Sequence, residues 1–284
     1  MQARFVLRIK LSFLFSHFLE RQTHMKPISH LTLGALLVAA ASGALAQAKA
    51  PEPDYTLGYN IGAVSDYRFR GITQSNYTPA LQGGVDFSHK SGFYAGAWAS
   101  NVSWVKQFNG ATAGDYELDL YAGFKGTISG DLGFDVGVIG YIYPGNNSGA
   151  AGTPGAGTVT DANTTEVYGA LTYKMFTLKY NQSTGNFLGF LNSSGSSYVD
   201  LSATFDLGNG FTLTPHVGRQ TVKNGVNLDY TDYALTLTKD LGNGLSVTAA
   251  LVGTDANQTT YVNSNGNTNY IGRNGGYLGL KFSF

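Results

Sequence analysis

The chain has no cysteine, and only 13% of its 284 residues are charged. The lack of cysteine excludes a disulfide framework and any metal site built on thiolates. The apolar run at residues 31–41 is shorter than the roughly 20 residues that a membrane-spanning helix needs. Neither a disulfide-rich domain nor a helical anchor formed by this run is therefore expected.

Glycine and aromatic residues are abundant, with 38 Gly, 18 Tyr and 17 Phe against only 7 Pro. Aromatic side chains favour strands, and glycine supplies the backbone angles of tight turns. The composition predicts an all-β chain with many turns. The length allows one or two domains, and a single barrel of this size is ordinary.

The first part of the chain is typical of a targeting sequence. Met25 and Lys26 begin a short basic region, the apolar run follows, and Ala44 and Ala46 form a small-x-small cleavage site. This order of basic, apolar and small residues is that of a secretory signal peptide. We expect cleavage after Ala46.

The segments on either side of the cleavage site follow from this reading. Residues 25–46 are the expected signal peptide, and residues 47–54 are a short periplasmic lead to a barrel at 55–284. Residues 1–24 are then a mis-assigned start or an extension. No cysteine follows the cleavage site, which excludes a lipoprotein anchor.

The neutral total charge changes when the signal segment is removed. The chain has 18 Lys and Arg and 18 Asp and Glu, of which residues 1–46 carry five basic side chains and one acidic one. The remaining 13 basic and 17 acidic side chains give a net charge of −4. A mildly acidic protein is not expected to bind nucleic acid.

Twelve segments are predicted to be strands, since most alternate apolar and polar residues with a period of two, as strands with one apolar face do. The third, residues 93–102, has aromatic residues on both faces. The connections between them are alternately short and long. Short ones lie at 88–92, 126–131, 174–175, 208–210 and 240–244, and long ones at 71–78, 103–114, 144–164, 182–196, 219–229 and 253–275. This alternation and the even number of strands predict a transmembrane antiparallel up-and-down β-barrel of about 12 strands.

One pentapeptide, Asp-Leu-Gly-Asn-Gly, begins at residue 206 and again at residue 240. Asn-Gly supplies the positive φ angles that a two-residue hairpin turn requires. We interpret the two copies as equivalent turns, one hairpin apart.

The barrel must close on itself, because an unpaired backbone group in hydrocarbon costs several kcal/mol. The first strand, predicted over residues 55–70, should therefore pair with the last. In that last strand Leu278, Leu280, Phe282 and Phe284 alternate with small or polar residues. We expect Tyr277, Gly279, Leu280, Phe282 and Phe284 to act as the insertion signal of the closing strand. An ordinary edge strand that happens to end in Phe is the alternative.

Aromatic residues near the strand ends are expected to form girdles at the two membrane interfaces. These are Tyr55, Tyr116, Phe124, Tyr143, Tyr173, Phe176, Phe211, Tyr233 and Phe284.

Several segments resemble a known family. Asn60-Ile-Gly-Ala-Val-Ser-Asp-Tyr-Arg-Phe-Arg-Gly71 and residues 92–102 are similar to the TorF, or Gcw_chp, family of porin-like proteobacterial proteins, and residues 116–123, 143–145 and 165–168 to its later segments. The resemblance covers the chain after the signal peptide. It implies a barrel in the outer membrane of a Gram-negative bacterium, with a channel role and no settled substrate. The partners expected with it are outer-membrane lipid, the barrel-assembly machinery and small polar solutes.

Charged side chains opposite the apolar parity are expected to face the lumen, because a mid-plane Arg or Lys facing lipid costs about 2–4 kcal/mol. The pore-lining candidates are Asp66, Arg68, Arg70, Asp86, Glu117, Asp119, Asp200, Asp232 and Lys281. Lys125, Asp135, Glu166, Lys179 and His216 share their parity. The densest cluster is expected where Asp66, Arg68 and Arg70 meet Asp86 and, across the closing seam, Lys281.

Two interpretations of these charges remain open. They form either a constriction that orients a small polar solute or a salt-bridged lumen that stabilises the barrel. The sequence favours a passive channel with a narrow, mixed-charge lumen. A non-conducting barrel that acts through its external loops, and a soluble ligand-binding β-barrel, are the alternatives.

Catalysis is not expected. The only His after the signal peptide are His89, in a turn, and His216, and no Gly-x-Ser-x-Gly elbow occurs. No pair of His at ligand spacing indicates a metal site. We therefore predict no catalytic residue, no metal and no cofactor.

Overall fold

A computed structural model describes residues 53–264 and 268–284. These residues contain one short helix, α1 (Trp104–Gln107), and fifteen strands. The strands are β1 (Tyr55–Val64), β2 (Arg68–Phe69), β3 (Ile72–Thr73), β4 (Ala80–His89), β5 (Phe93–Asn101), β6 (Tyr116–Ser129), β7 (Leu132–Ile142), β8 (Thr164–Tyr173), β9 (Phe176–Ser183), β10 (Ser197–Ala203), β11 (Phe205–Gly208), β12 (Phe211–Thr221), β13 (Tyr230–Gly242), β14 (Leu245–Thr254) and β15 (Gly275–Ser283). The expected signal peptide and its cleavage site lie outside the described residues.

All strands except β2 and β3 belong to one closed sheet. Successive wall strands pair antiparallel, with β1 next to β4, and β1 also pairs with β15, which closes the sheet; β12 pairs with both β10 and β11. The strands β10 and β11 are successive halves of one strand, interrupted at Thr204, whose N–H bonds to the carbonyl of Met175. Twelve strands therefore circle the barrel, which confirms the predicted up-and-down architecture.

The period-two pattern places apolar side chains outside and polar ones inside. Large apolar residues remain exposed on the outer face of every part of the wall, among them Leu57, Leu120, Leu171, Leu235 and Leu278. A closed sheet with an apolar outer belt and a polar interior is the surface of a membrane-spanning barrel. Among the described residues, no helix is both long and apolar enough to cross a membrane.

One end of the barrel carries the short turns. Asn209 and Asn243 have φ of 51° and 53° and stand between glycines that also have positive φ. In both turns the preceding aspartate accepts a hydrogen bond of 2.8 Å, Asp206 from the N–H of Gly208 and Asp240 from that of Gly242. The repeated pentapeptides therefore form equivalent hairpin turns, as predicted.

Inside the wall, tyrosine rings lie flat over glycines of the neighbouring strand. Tyr121 is paired with Gly96, and a Cβ added to Gly96 would come within 2.5 Å of the ring. Tyr94 covers Gly123 and Tyr168 covers Gly137 in the same way. Glycine at these positions lets a large ring lie along the wall rather than across the lumen.

The opposite end of the barrel is covered by the long loops. Two buried apolar clusters hold them together, one around Trp104, Val105 and Tyr143 and the other around Phe187, Tyr230 and Tyr261. We call this assembly of loops the cap. The prediction that Tyr143 belongs to an interfacial girdle is wrong, because its side chain is 2% exposed and packs edge-on against Trp104 in the cap.

The predicted first strand also differs. β1 ends at Val64, so residues 65–70 do not belong to the wall. Residues 65–79 instead leave the wall and contain the small hairpin β2–β3.

Candidate lumen site and its internal hairpin

The segment 65–79, called the inner hairpin below, lies within the barrel. It hydrogen-bonds to side chains that face inward from β6, β8 and β12, on different parts of the wall. Its two strands are joined by Arg70 and Gly71, which have φ of 46° and 80°. A residue other than glycine in this left-handed region carries a backbone strain of about 1–3 kcal/mol, which its surroundings must offset.

Arg70 is the main contact of the inner hairpin with the wall. Its Nη1 and Nη2 donate to the two carboxylate oxygens of Glu166 at 3.0 and 2.6 Å, and Nη1 also donates to Oε1 of Gln220 at 2.8 Å. The guanidinium lies 4.3 Å from the centre of the Tyr198 ring. Burial disfavours the charge, but Glu166 outweighs it and raises the pKa of Arg70 above its ordinary value. The contact is a forked pairing of a guanidinium with a carboxylate.

Arg68 holds the inner hairpin together from within. Its Nε lies 2.5 Å from Asp66, and its Nη1 donates to the carbonyls of Gly71 and Arg273 at 2.9 and 3.0 Å. Asp66 also accepts from the hydroxyl of Thr73. These bonds fold the hairpin on itself and attach it to the loop before β15.

Tyr67 anchors the other side of the inner hairpin. Its hydroxyl donates to Glu117 at 2.8 Å, and its ring meets Trp98 edge-on at 5.4 Å. Burial, followed by the nearby carboxylates Glu117 and Asp119, raises the pKa of Tyr67 well above its usual value, so it stays a neutral donor. The inner hairpin is thereby fixed to the wall at β6 as well as at β8 and β12.

A histidine stands between two carboxylates on the wall near Arg70. His216 Nδ1 lies 2.5 Å from Asp200, and its Nε2 lies 3.2 Å from Asp232. Asp232 also accepts from the hydroxyl of Tyr198 at 3.1 Å. This group confirms that His216 faces inward, and it fixes the ring on which Arg70 rests.

Between the inner hairpin and the short turns the lumen is open. One cavity of about 460 Å³ is lined by Asn60, Gln82, Asp86, Trp98, Asp119, Tyr121, Tyr277 and Lys281, among others. A second, of about 350 Å³, is lined by Tyr94, Lys125, Asp135, Tyr168 and Lys179, among others. Asp86 and Tyr121 line both cavities, so the two cavities adjoin each other in the lumen.

The pore-lining candidates divide into three groups. Asp86, Asp119 and Lys281 line the open cavity. Glu117, Asp200 and Asp232 face inward but are engaged by Tyr67 or His216. Asp66, Arg68 and Arg70 lie in the inner hairpin rather than on the wall.

The expected single cluster around the closing seam is therefore wrong in its geometry. Arg70 pairs with Glu166 on β8, Arg68 pairs with Asp66, and Asp86 accepts from Tyr121. Gln220 and Phe187, which complete the surroundings of Arg70, were not among the candidates. The parity of Gln220 with His216 was the one available signal, and the loop position of Phe187 gave none.

Comparison with protein-family models gives one match. The model described as a bacterial protein of unknown function (Gcw_chp) matches residues 47–284. Comparison with curated proteins gave no match.

Solved structures with a similar course of the chain include several porins. A KdgM porin in complex with disordered oligogalacturonate has a TM-score of 0.49 at 8% identity, covering 80% of this chain and 98% of that one. A NanC porin has a TM-score of 0.49 at 9% identity, with 81% and 99% covered. OprD of Pseudomonas aeruginosa has a TM-score of 0.37 at 14% identity, with 80% and 66% covered. At these TM-scores and sequence identities, the functions of these porins cannot be assigned to this chain.

Proposed function

The chain belongs to the Gcw_chp family of bacterial proteins, and we propose that it is a channel for small polar solutes, closed at its loop end by the inner hairpin. Single-chain barrels of this architecture span the bacterial outer membrane, and the protein lies there. The observation that carries the proposal is the pair of adjoining cavities, lined by charged and polar side chains, between the inner hairpin and the short turns.

The side chains around this cavity suit passage rather than catalysis. Asp86, Asp119 and Lys281 supply both signs of charge, and Gln82 and Trp98 add a polar and an aromatic surface. A lumen with both signs of charge selects mainly by size and hydrogen bonding, and only weakly by the sign of an ion. We assign the cavity the role of admitting small polar solutes once the inner hairpin moves.

The cap favours one other function. The two apolar clusters join the long loops into one packed surface at the loop end, as in a non-conducting barrel that presents its loops to a partner. A non-conducting barrel would pass no solute, and its inner hairpin would not have to move.

Liposome swelling separates the two functions. We expect protein purified from outer membranes to pass small neutral sugars slowly, and Arg70→Ala to pass them about tenfold faster, because loss of the forked ion pair frees the inner hairpin. Arg219→Ala is the matched control, since Arg219 bonds to Thr231 at the rim and not to the inner hairpin. If none of the three proteins passes the sugars, the proposed channel function is contradicted and the non-conducting barrel is the remaining function.

A further inference from the structure

The surroundings of Arg70 form a complete binding pocket for a guanidinium group. Glu166 meets two nitrogens with two oxygens, Gln220 supplies a third acceptor, and the Tyr198 ring covers one face. Glu166 and Gln220 are both fully buried. Forked pairing with a carboxylate combined with an aromatic face is how proteins recognise guanidinium and not a simple ammonium.

The polar groups and the Tyr198 ring of this pocket belong to the wall, whereas Phe69 of the inner hairpin, 4.7 Å from the guanidinium, would leave with the hairpin. Glu166, Tyr198 and Gln220 lie on β8, β10 and β12. The amide nitrogen of Gln220 donates to the carbonyls of Ser197 and Thr221 at 3.1 and 3.2 Å, which turns its oxygen toward the guanidinium. The Tyr198 hydroxyl is held by Asp232. The orientation of Gln220 and Tyr198 therefore does not depend on Arg70.

The occupant, by contrast, stands in an unfavourable backbone position. Arg70 is the first of two central residues with positive φ, where two-residue hairpin turns favour Asn or Gly. Local turn preference does not explain an arginine there, whereas the pocket does. Arg70 acts as a tethered ligand in a preformed site.

We propose that this pocket is a binding site for small guanidinium solutes, such as free arginine, which compete with Arg70. When the inner hairpin leaves the pocket, a solute guanidinium takes its place on Glu166, Gln220 and Tyr198. The hairpin then cannot return, and the lumen stays open. A ligand that binds only the released state shifts the protein toward that state in proportion to its concentration. The link to opening rests on the proposed channel function, whereas the binding site does not.

Planar-bilayer recordings test the link to opening. With protein purified from outer membranes, arginine is added at about 10 mM on the loop side, because the effective concentration of a flexibly tethered group is in the millimolar range. We expect this arginine to raise the mean conductance several-fold. Citrulline, its neutral analogue, and lysine, which has the charge without the fork, should have little effect. Glu166→Gln should remove the difference between arginine and lysine. Equal responses to arginine, lysine and citrulline would overturn the proposal.

A fluorescence measurement tests the binding site without any conductance. The chain has two Trp, so Trp104→Phe leaves Trp98, which contacts Tyr67 of the inner hairpin, as the single reporter. Arginine should shift the emission of Trp98 in detergent micelles, and citrulline should not. Adding Arg70→Gly removes the tethered competitor and should lower the half-saturating arginine concentration, measured by calorimetry, by about tenfold or more.

The two measurements fail in different ways. If arginine binds but no variant conducts, the channel function is contradicted and the guanidinium-binding site is supported. If Arg70→Gly conducts but neither measurement distinguishes arginine from citrulline, the channel function is supported and the guanidinium-binding site is contradicted.

Discussion

At the scale of single residues, the pair Arg70–Glu166 determines where the inner hairpin lies. Its side chains are 6% and 0% exposed, and its shorter contact is 2.6 Å. Removing one partner of a buried ion pair leaves a buried charge without its counterion, which costs about 3–5 kcal/mol. No strand pairing of the wall passes through this pair, so we expect the barrel to close without it.

We therefore expect Glu166→Ala to lower the free energy of hairpin opening by about 3–5 kcal/mol and to leave the barrel closed. Hydrogen exchange at the amide of Thr73, which donates to the carbonyl of Ile271 at 3.0 Å, measures this opening. Lys90→Ala is the matched control: its pair with Asp54 is 69% and 57% exposed, and such a pair contributes at most about 1 kcal/mol. Unchanged exchange at Thr73 in Glu166→Ala would contradict this role.

At the scale of elements, the strands could be predicted from the sequence because their signal is local. Alternation fixes which side chains of a strand face the lumen, as the inward positions of Glu117, Asp200 and Lys281 show. The two Asn-Gly turns were equally predictable, since turn chemistry involves only neighbouring residues.

The inner hairpin could not be predicted in the same way. Tyr67 to Arg70 continue the alternation of β1, but the pairing with β15 ends at Val64, beyond which Ser65 makes the last backbone bond, to the carbonyl of Leu278. The inward course after Ser65 is set by Glu166 and Gln220, 96 and 150 residues away from Arg70. Contacts at that separation leave no periodic signal, and for the same reason the pocket around Arg70 was not foreseen.

The closing seam gives a second prediction at the scale of elements. Phe284 exchanges two backbone hydrogen bonds with Tyr59, and the two rings stack at 5.8 Å. Phe284→Ala keeps the two backbone hydrogen bonds but loses the ring stacking. An aromatic pair of this kind contributes about 0.5–1.5 kcal/mol in addition to the stabilisation from its buried area. We expect slower assembly of folded barrel in lipid vesicles, followed by the heat-dependent shift on gels, and unchanged solute flux once folded. Phe176→Ala, also exposed at the short-turn end but away from the seam, is the control. Equal assembly rates for the two variants would contradict the insertion-signal role proposed for this strand.

At the scale of the whole molecule, the barrel combines a closed wall with a separable closure. With β10 and β11 counted as one strand, every wall strand has a partner on both sides, so the sheet has no free edge strand in the membrane. The inner hairpin begins and ends at one place on that wall, because Val64 and Ala80 are paired partners in β1 and β4. A short turn can therefore replace residues 65–79 and keep every residue pair of β1 with β4 and β15, with only the bonds between Ser65 and Leu278 lost at the seam.

Single-channel conductance of this hairpin-replaced barrel, beside the unaltered protein in the same bilayers, tests the central claim most directly. We expect the unaltered protein to be closed for most of the record and the hairpin-replaced barrel to conduct steadily, with weak selectivity between cations and anions, because the lumen carries both signs of charge. Equal conductance of the two proteins would contradict the assignment of the inner hairpin as the closure. Absence of conductance in both, with the barrel correctly folded, would contradict the channel itself.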